Sequence, residues 1–269
     1  MKGLYTAGVM DVMLEKRWMP DVICGTSAGV TFGVNLPSQQ RGRVLRYNKR
    51  FAKDPRYISV RSLLTTGDMV NYEFSYHLLP EILDPFDEAE FERSGVDFYA
   101  TITNVRTGKA EYVLLKNVME QMEVVRASAS LPFVSRKVRV GDEWYLDGGI
   151  ADNIPIRKAL EVGCEKVVVV LTHPAGYVRK EKMTVLAKIF YPRDKELQQA
   201  FERRNEEYMN CIRYIEQLEN EGKVKVLRPS KFVKIGRLEA DVEKLQALYD
   251  VGVKDAEKKW DEIMQWLNE

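Results

Sequence analysis

The sequence predicts an α/β protein, a single domain in which helices layer over a mostly parallel central sheet and further helices close the C-terminus. Three observations lead there. A short β-prone run, Val22-Ile23-Cys24, meets a turn of small residues, Gly25-Thr26-Ser27-Ala28-Gly29, that can open a helix. That strand-turn-helix order is the context in which G-x-S-x-G presents a serine. The run Val167-Val168-Val169-Val170 is apolar without alternation, as in a strand covered on both faces of a parallel sheet. Helical and β-prone segments alternate along the rest, with no repeat and no linker rich in Pro, Gly or Ser.

The chain opens on a helix whose apolar face carries Val9, Met10, Met13 and Leu14. A strand normally precedes such a helix in a βαβ unit, so the opening reads as lacking one. Residues 21–24 are the elbow strand, and residues 28–36 the helix leaving it, closed by Pro37. Residues 38–52 set Arg41, Arg43, Arg46, Lys49 and Arg50 among Val44, Leu45, Tyr47 and Phe51, a basic helix facing solvent or anionic lipid. From 54 to 86 the pattern breaks at Pro55, Gly67, Pro80 and Pro85, which suits a cap or surface loops shaping a pocket.

Residues 96–103 alternate, Thr107-Gly108-Lys109 turns, and residues 111–115 return as an antiparallel partner. A short helix over 120–130 stops at Leu131-Pro132. Residues 138–140 and 143–146 flank Gly141-Asp142 in a small hairpin that delivers Asp147-Gly148-Gly149. There follow a helix over 156–162, the buried strand 166–171 with His173 just beyond it, and a long helix over 196–219. Its stripe is Phe201, Tyr208, Cys211, Ile212, Ile215 and Leu218. Residues 224–227 are the last strand. Two terminal helices, 241–250 and 256–267, stand either side of Gly252, with Trp260 and Trp266 as packing residues.

Composition excludes several function classes. A chain of 269 residues, 45% hydrophobic and 30% charged, can bury the core of one large domain. With 41 basic against 40 acidic residues, its net charge of +1 creates no field for nucleic acid. No signal peptide and no run of about 18 uncharged apolar residues stands out. A cytoplasmic protein is expected, touching membranes only peripherally, through the basic segment 41–53 or the apolar pieces of 58–79. Three widely spaced cysteines, Cys24, Cys164 and Cys211, fit a reducing compartment. With two histidines and no Cys/His cluster, neither metal nor cofactor is expected.

Ser27 is the candidate nucleophile. A turn this tight strains the serine backbone and tolerates only small neighbours, while the helix start favours a developing negative charge. A serine needs a base to take its proton and oriented donors for the oxyanion. Ser27, Asp147 and His173 follow the Ser, Asp, His chain order of an α/β-hydrolase. Alternatively, Asp147 acts on Ser27 directly. The glycines after Asp147 suit either arrangement.

Gly25-Thr26-Ser27-Ala28-Gly29 and Asp147-Gly148-Gly149, with the helix Tyr5-Thr6-Ala7-Gly8-Val9 before them, resemble the patatin-like phospholipases, especially their bacterial branch. The likeness runs from residue 2 to about 230 and extends to Arg126-Ala127-Ser128, Leu131-Pro132 and Asn153-Ile154-Pro155. It implies a three-layer α/β/α hydrolase domain over 1–230, with 231–269 a helical extension packed on it. It also implies a Ser27–Asp147 dyad that hydrolyses acyl esters of phospholipids or lysophospholipids through an acyl-enzyme, without calcium. On this reading Lys2, Gly3, Gly25, Ala28 and Gly29 form the oxyanion and nucleophile loops, Gly148 and Gly149 follow the base, and His173 is an unrelated loop residue. The family's glycine-rich loop, G-G-G-x-R/K-G after a first strand, survives here only as Lys2-Gly3, with Met1 at its variable position. A start assigned too far downstream is expected. The alternative is a true truncation with a crippled oxyanion hole, which would leave a non-catalytic lipid-binding protein. A soluble esterase or thioesterase for smaller acyl compounds is the remaining reading.

Overall fold

The computed structural model describes residues 1–180, 183–236 and 238–269. Helix α1 (Leu4–Glu15) precedes β1 (Val22–Thr26) and a single helical turn, α2 (Ala28–Thr31). Next come α3 (Arg43–Phe51), α4 (Val60–Thr66), a π-helical segment Phe74–Leu83, and α5 (Glu88–Arg93). Strands β2 (Asp97–Asn104) and β3 (Ala110–Leu115) form a hairpin, α6 (Met122–Ser128) packs on β2, and β4 (Val138–Val140) turns into β5 (Glu143–Asp147). The chain continues through α7 (Ile156–Glu161), β6 (Val167–Val170), α8 (Thr184–Phe190), α9 (Lys195–Asn220), β7 (Val224–Leu227) and α10 (Val242–Asn268).

The sheet differs from the mostly parallel one that the sequence suggests. Five strands run β1-β2-β5-β4 with β3 also on β2, and in this sheet only the β1–β2 pairing is parallel. The pairs β2–β3, β2–β5 and β4–β5 are antiparallel. Tight turns at Thr107-Gly108-Lys109 and Gly141-Asp142 join neighbouring strands, and a strand that turns straight back can only pair antiparallel. The valine run is not part of this sheet. It is β6, paired in parallel with β7 in a separate two-stranded sheet, and only Val169 of its four valines is buried. Among the described residues β1 pairs with β2 alone and β6 with β7 alone, and residues of both strands line one cleft.

Register on β2 positions the candidate site. β3 pairs with residues 98–103 of β2, so β1 on residues 97–101 and β5 on residues 102–104 share the opposite edge. One runs parallel to β2 and the other antiparallel. They therefore meet head-on by their C-terminal ends, with Thr26 opposite Thr101 and Asp147 opposite Ile102. The antiparallel pairings that overturn the expected sheet are what bring Ser27 and Asp147 together.

The expected break between the terminal helices is absent: α10 runs unbroken through Gly252. A Cβ at Gly252 would stand 2.1 Å from the Tyr5 carbonyl oxygen, and one at Gly8 would stand 2.2 Å from that of Tyr249. The glycine marks the closest crossing of α10 over α1, and helical backbone persists through it. Leu4, Tyr5, Val9, Leu245 and Leu248 are buried along this seam, and Trp18 meets Trp260 edge-on at 6.2 Å. The basic helix α3 is tied into the fold. Arg43 is buried and donates to Asn35 Oδ1 at 2.8 Å, Arg46 chelates the Asp84 carboxylate, and Lys49 donates to Gln246.

Candidate active site

Strand β1 ends at a turn that only glycine permits. A Cβ on Gly25 would lie 2.5 Å from the Gly29 carbonyl oxygen, whereas one on Gly29 would meet nothing within 4 Å and leaves the mouth open. Ser27 takes φ 58° and ψ −116°, a region that costs a non-glycine residue about 1–3 kcal/mol and persists only where the surroundings impose it. They do so here through several bonds. The Ser27 N–H donates to Ser128 Oγ at 3.0 Å, the Ser128 hydroxyl donates to the Thr101 carbonyl at 2.7 Å, and the Ser27 carbonyl accepts from Val30 and Thr31.

Asp147 is the last residue of β5 and is buried. Its N–H donates to the Ser130 carbonyl at 2.9 Å and its own carbonyl accepts the Thr103 hydroxyl at 2.9 Å. The Ser27 hydroxyl donates to Oδ2 at 2.6 Å, and the Gly149 N–H donates to Oδ1 at 2.7 Å. Gly149 is itself gripped, its carbonyl accepting from Asn153 Nδ2 at 2.6 Å and Arg204 Nε at 2.7 Å. A Cβ at Gly148 would stand 2.2 Å from the Thr101 carbonyl oxygen, so this turn too requires glycine. Burial pushes the Asp147 carboxyl above the usual carboxylate range, against the opposing pull of Ser27, Gly149, Arg204 and Arg179. Raising that pKa makes the carboxylate a better proton acceptor than a solvated one.

The two residues open into a cleft of about 1220 Å³, with Leu79, Val125 and Leu131 among its apolar walls. Gly3 caps α1 at its floor: a Cβ there would lie 2.9 Å from the Ala28 methyl and 2.8 Å from the Phe32 ring. Lys2 and Gly3 therefore lie against the turn that follows Ser27. His173 also lines the cleft, with its Nε2 3.3 Å from Lys2 Nζ and its ring stacked on Tyr177 at 3.6 Å. Ser27 meets Asp147 directly, without His173 between them. Cys24, on the cleft wall, is no rival nucleophile, because burial pushes its thiol up to about 12 and keeps it protonated at neutral pH. Among the described residues no three His, Cys, Asp or Glu side chains cluster closely enough to hold a metal ion.

Thr103 and Arg204, which hold the Asp147 and Gly149 carbonyls, lie outside the residues the sequence points to. Arg204 had a legible signal, because Phe201, Arg204, Tyr208, Cys211, Ile215 and Leu218 form one continuous helical stripe. An arginine on an apolar stripe is either paired or functional.

The patatin-like phospholipase family matches residues 1–160, and a domain of unknown function, DUF6363, matches residues 194–268. An uncharacterized protein of Escherichia coli K12, YjjU, is 32% identical over 182 residues, 65% of this chain and 50% of that protein. Lysophospholipase NTE1 of Saccharomyces cerevisiae is 27% identical over 173 residues, covering 63% of this chain and 10% of the yeast protein. Lysophospholipase nte1 of Emericella nidulans is 27% identical over 168 residues, covering 62% of this chain and 11% of its own. The chain thus spans half the length of the bacterial relative and about a tenth of the fungal ones. Among the described residues no helix is long and apolar enough to cross a membrane.

Proposed function

The chain belongs to the patatin-like phospholipase family, a class of lipid acyl hydrolases, and from that premise we propose that it is a serine acyl-ester hydrolase working through a Ser27–Asp147 dyad. Ser27 Oγ attacks the ester carbonyl carbon as its proton passes to Asp147 Oδ2. The tetrahedral intermediate collapses, the alkoxide leaves with that proton, and the acyl group stays on Ser27. Water then attacks the acyl-enzyme, Asp147 takes the water's proton and returns it to Ser27 Oγ, and the fatty acid departs. The chain's own groups balance both half-reactions. The observation that carries this reading is the 2.6 Å hydrogen bond from a serine held at φ 58° to a buried carboxylate.

Gly3 lying against Ala28 supports an oxyanion hole made by N–H groups of the Lys2-Gly3 segment and of Ala28 and Gly29 at the start of α2. The names of the fungal relatives favour lysophospholipid as substrate. Three free thiols suit a reducing, cytoplasmic setting. The packing of α10 on α1 favours treating 231–269 as an extension of the hydrolase domain.

The test is hydrolysis of lysophospholipid, phospholipid vesicles and short soluble esters by this chain, beside a version extended upstream, with Ser27→Ala and Asp147→Asn in each. Circular dichroism confirms that every variant is folded. Turnover that either substitution abolishes supports the dyad. Folded protein that hydrolyses no ester and takes up no fluorophosphonate is a lipid-binding protein instead.

A further inference from the structure

Two short helices present their apolar side chains the wrong way for a folded core. On α8 the single buried residue is Ala187, while Val185, Leu186, Ile189 and Phe190 face solvent, Val185 at 71% and Ile189 at 66% exposure. On α4 the buried residue is Ser62, while Leu64 is 81% exposed and Val60 is 54% exposed. A surface helix normally buries its large apolar residues and exposes its small and polar ones. Both of these do the reverse.

The two helices belong to one face. A shallow depression lined by Gly67, Phe133, Arg136, Trp144 and Phe190 joins the end of α4 to the end of α8. The Arg136 guanidinium lies over Gly67, the residue that caps α4, and Phe133 and Phe190 have ring centroids 5.4 Å apart. This face borders the cleft. Met183, directly before α8, and Met69, shortly after α4, line the cavity that holds Ser27, as does Pro132, next to Phe133. Arg61, Arg136, Lys180, Lys188 and Arg193 are exposed on these segments. Asp68 is buried, Asp194 pairs with Lys137, and Glu202 pairs with Lys188.

We infer that α4 and α8 form a docking face for the surface of an anionic lipid bilayer, which sets the cleft mouth against the membrane from which substrate is drawn. The inference rests on the lipid-hydrolase reading of Ser27. Exposed large apolar residues among cations are the composition of an interfacial helix, where side chains enter the acyl boundary and Lys and Arg meet headgroups. A second copy of the chain would bring like charges together on this face, which opposes self-association.

The experiment is co-sedimentation of the full chain with vesicles of phosphatidylcholine, with and without phosphatidylglycerol, beside hydrolysis of a short soluble ester. Wild type and Ser27→Ala are expected to bind the anionic vesicles alike and to favour them over neutral ones. Val185→Asp with Ile189→Asp should lower vesicle affinity about tenfold or more and leave the soluble ester rate unchanged. If that pair unfolds the protein, Lys188→Glu with Arg193→Glu decides, with an expected loss of about fivefold per charge removed, on anionic vesicles only. Wild type that ignores both vesicles, or variants that bind as wild type does, overturn the docking face. A concentration-dependent dimer that the aspartates abolish also overturns it, in favour of a second copy. Vesicle binding without turnover of any ester sinks the hydrolase reading and leaves the face standing. Soluble ester turnover without vesicle binding does the opposite.

Discussion

The turn at Ser27 and the seam between α1 and α10 both depend on glycines that let backbones touch, and they put that closeness to opposite uses. At the seam Gly8 and Gly252 sit in regular helix, flanked by Leu4, Val9, Leu245 and Leu248, so close approach adds apolar contact without strain. At Ser27, Gly25 and Gly148 let two strand ends converge on a serine of positive φ and a buried carboxylate. Each of those is costly. The contrast teaches where this molecule keeps its stability and where it gives stability up to hold the proposed dyad.

Substitutions at Ser27 separate the two most sharply. Ser27→Ala is expected to lower kcat by at least about a thousandfold in an ester assay. Ser27→Gly should be as inactive but about 1 kcal/mol more stable than the alanine variant, since glycine takes φ 58° freely. Equal stability of the two by urea denaturation would remove strain from the account.

Asp147→Asn should cost a comparable factor in kcat while raising stability at neutral pH. The sign follows from the raised pKa of Asp147 in the folded state. Below its unfolded value, near 3.9, both states are protonated and no cost arises. As pH rises through the window up to the folded pKa, the native state holds a proton that the unfolded state has lost, so stability falls. Denaturation at two pH values checks this, and a gain that is larger at low pH contradicts it. The same pKa places the acid limb of kcat above the ordinary carboxylate range.

At the seam the pattern inverts. Gly252→Val should destabilise by about 3 kcal/mol, because its side chain has only the Tyr5 backbone to enter, and leave kcat per folded molecule unchanged. Ser128→Ala removes the acceptor for the Ser27 N–H and should lower kcat about tenfold through misplacement of the serine, with a smaller loss of stability. The smallest effect is expected of Arg204→Gln. Removing a charge that holds the Asp147 pKa down moves the acid limb to higher pH, measured as a kcat profile.

How far the sequence reveals all this depends on the range of the interactions. The elbow at Ser27 is legible because its chemistry is local: small residues, a strand and a helix start within a few positions. Both hairpins are legible for the same reason. The direction of the sheet is not, since apolar patterning reports burial and says nothing about which strand pairs with which. Val167 to Val170 reads as a doubly covered strand, yet three of its four valines are only partly buried, and the run lines a cleft that forms only when distant β1 comes near. Gly252 reads as a break because helix propensity is a weak prior, and its packing partner Tyr5 lies at the other end of the chain. Ser27 and Asp147 are individually legible. That they touch follows from β1 and β5 sharing one edge of β2, a fact of register.

The central claim is that Ser27, activated by Asp147, becomes covalently acylated. Its most direct test is fluorophosphonate labelling of the folded protein, read by mass spectrometry of the peptide spanning residues 18–41. The expected result is one phosphonyl group on Ser27, much slower labelling in Asp147→Asn and none in Ser27→Ala. A folded protein that hydrolyses ester while Ser27 stays unlabelled, or whose label persists in Ser27→Ala, would contradict it.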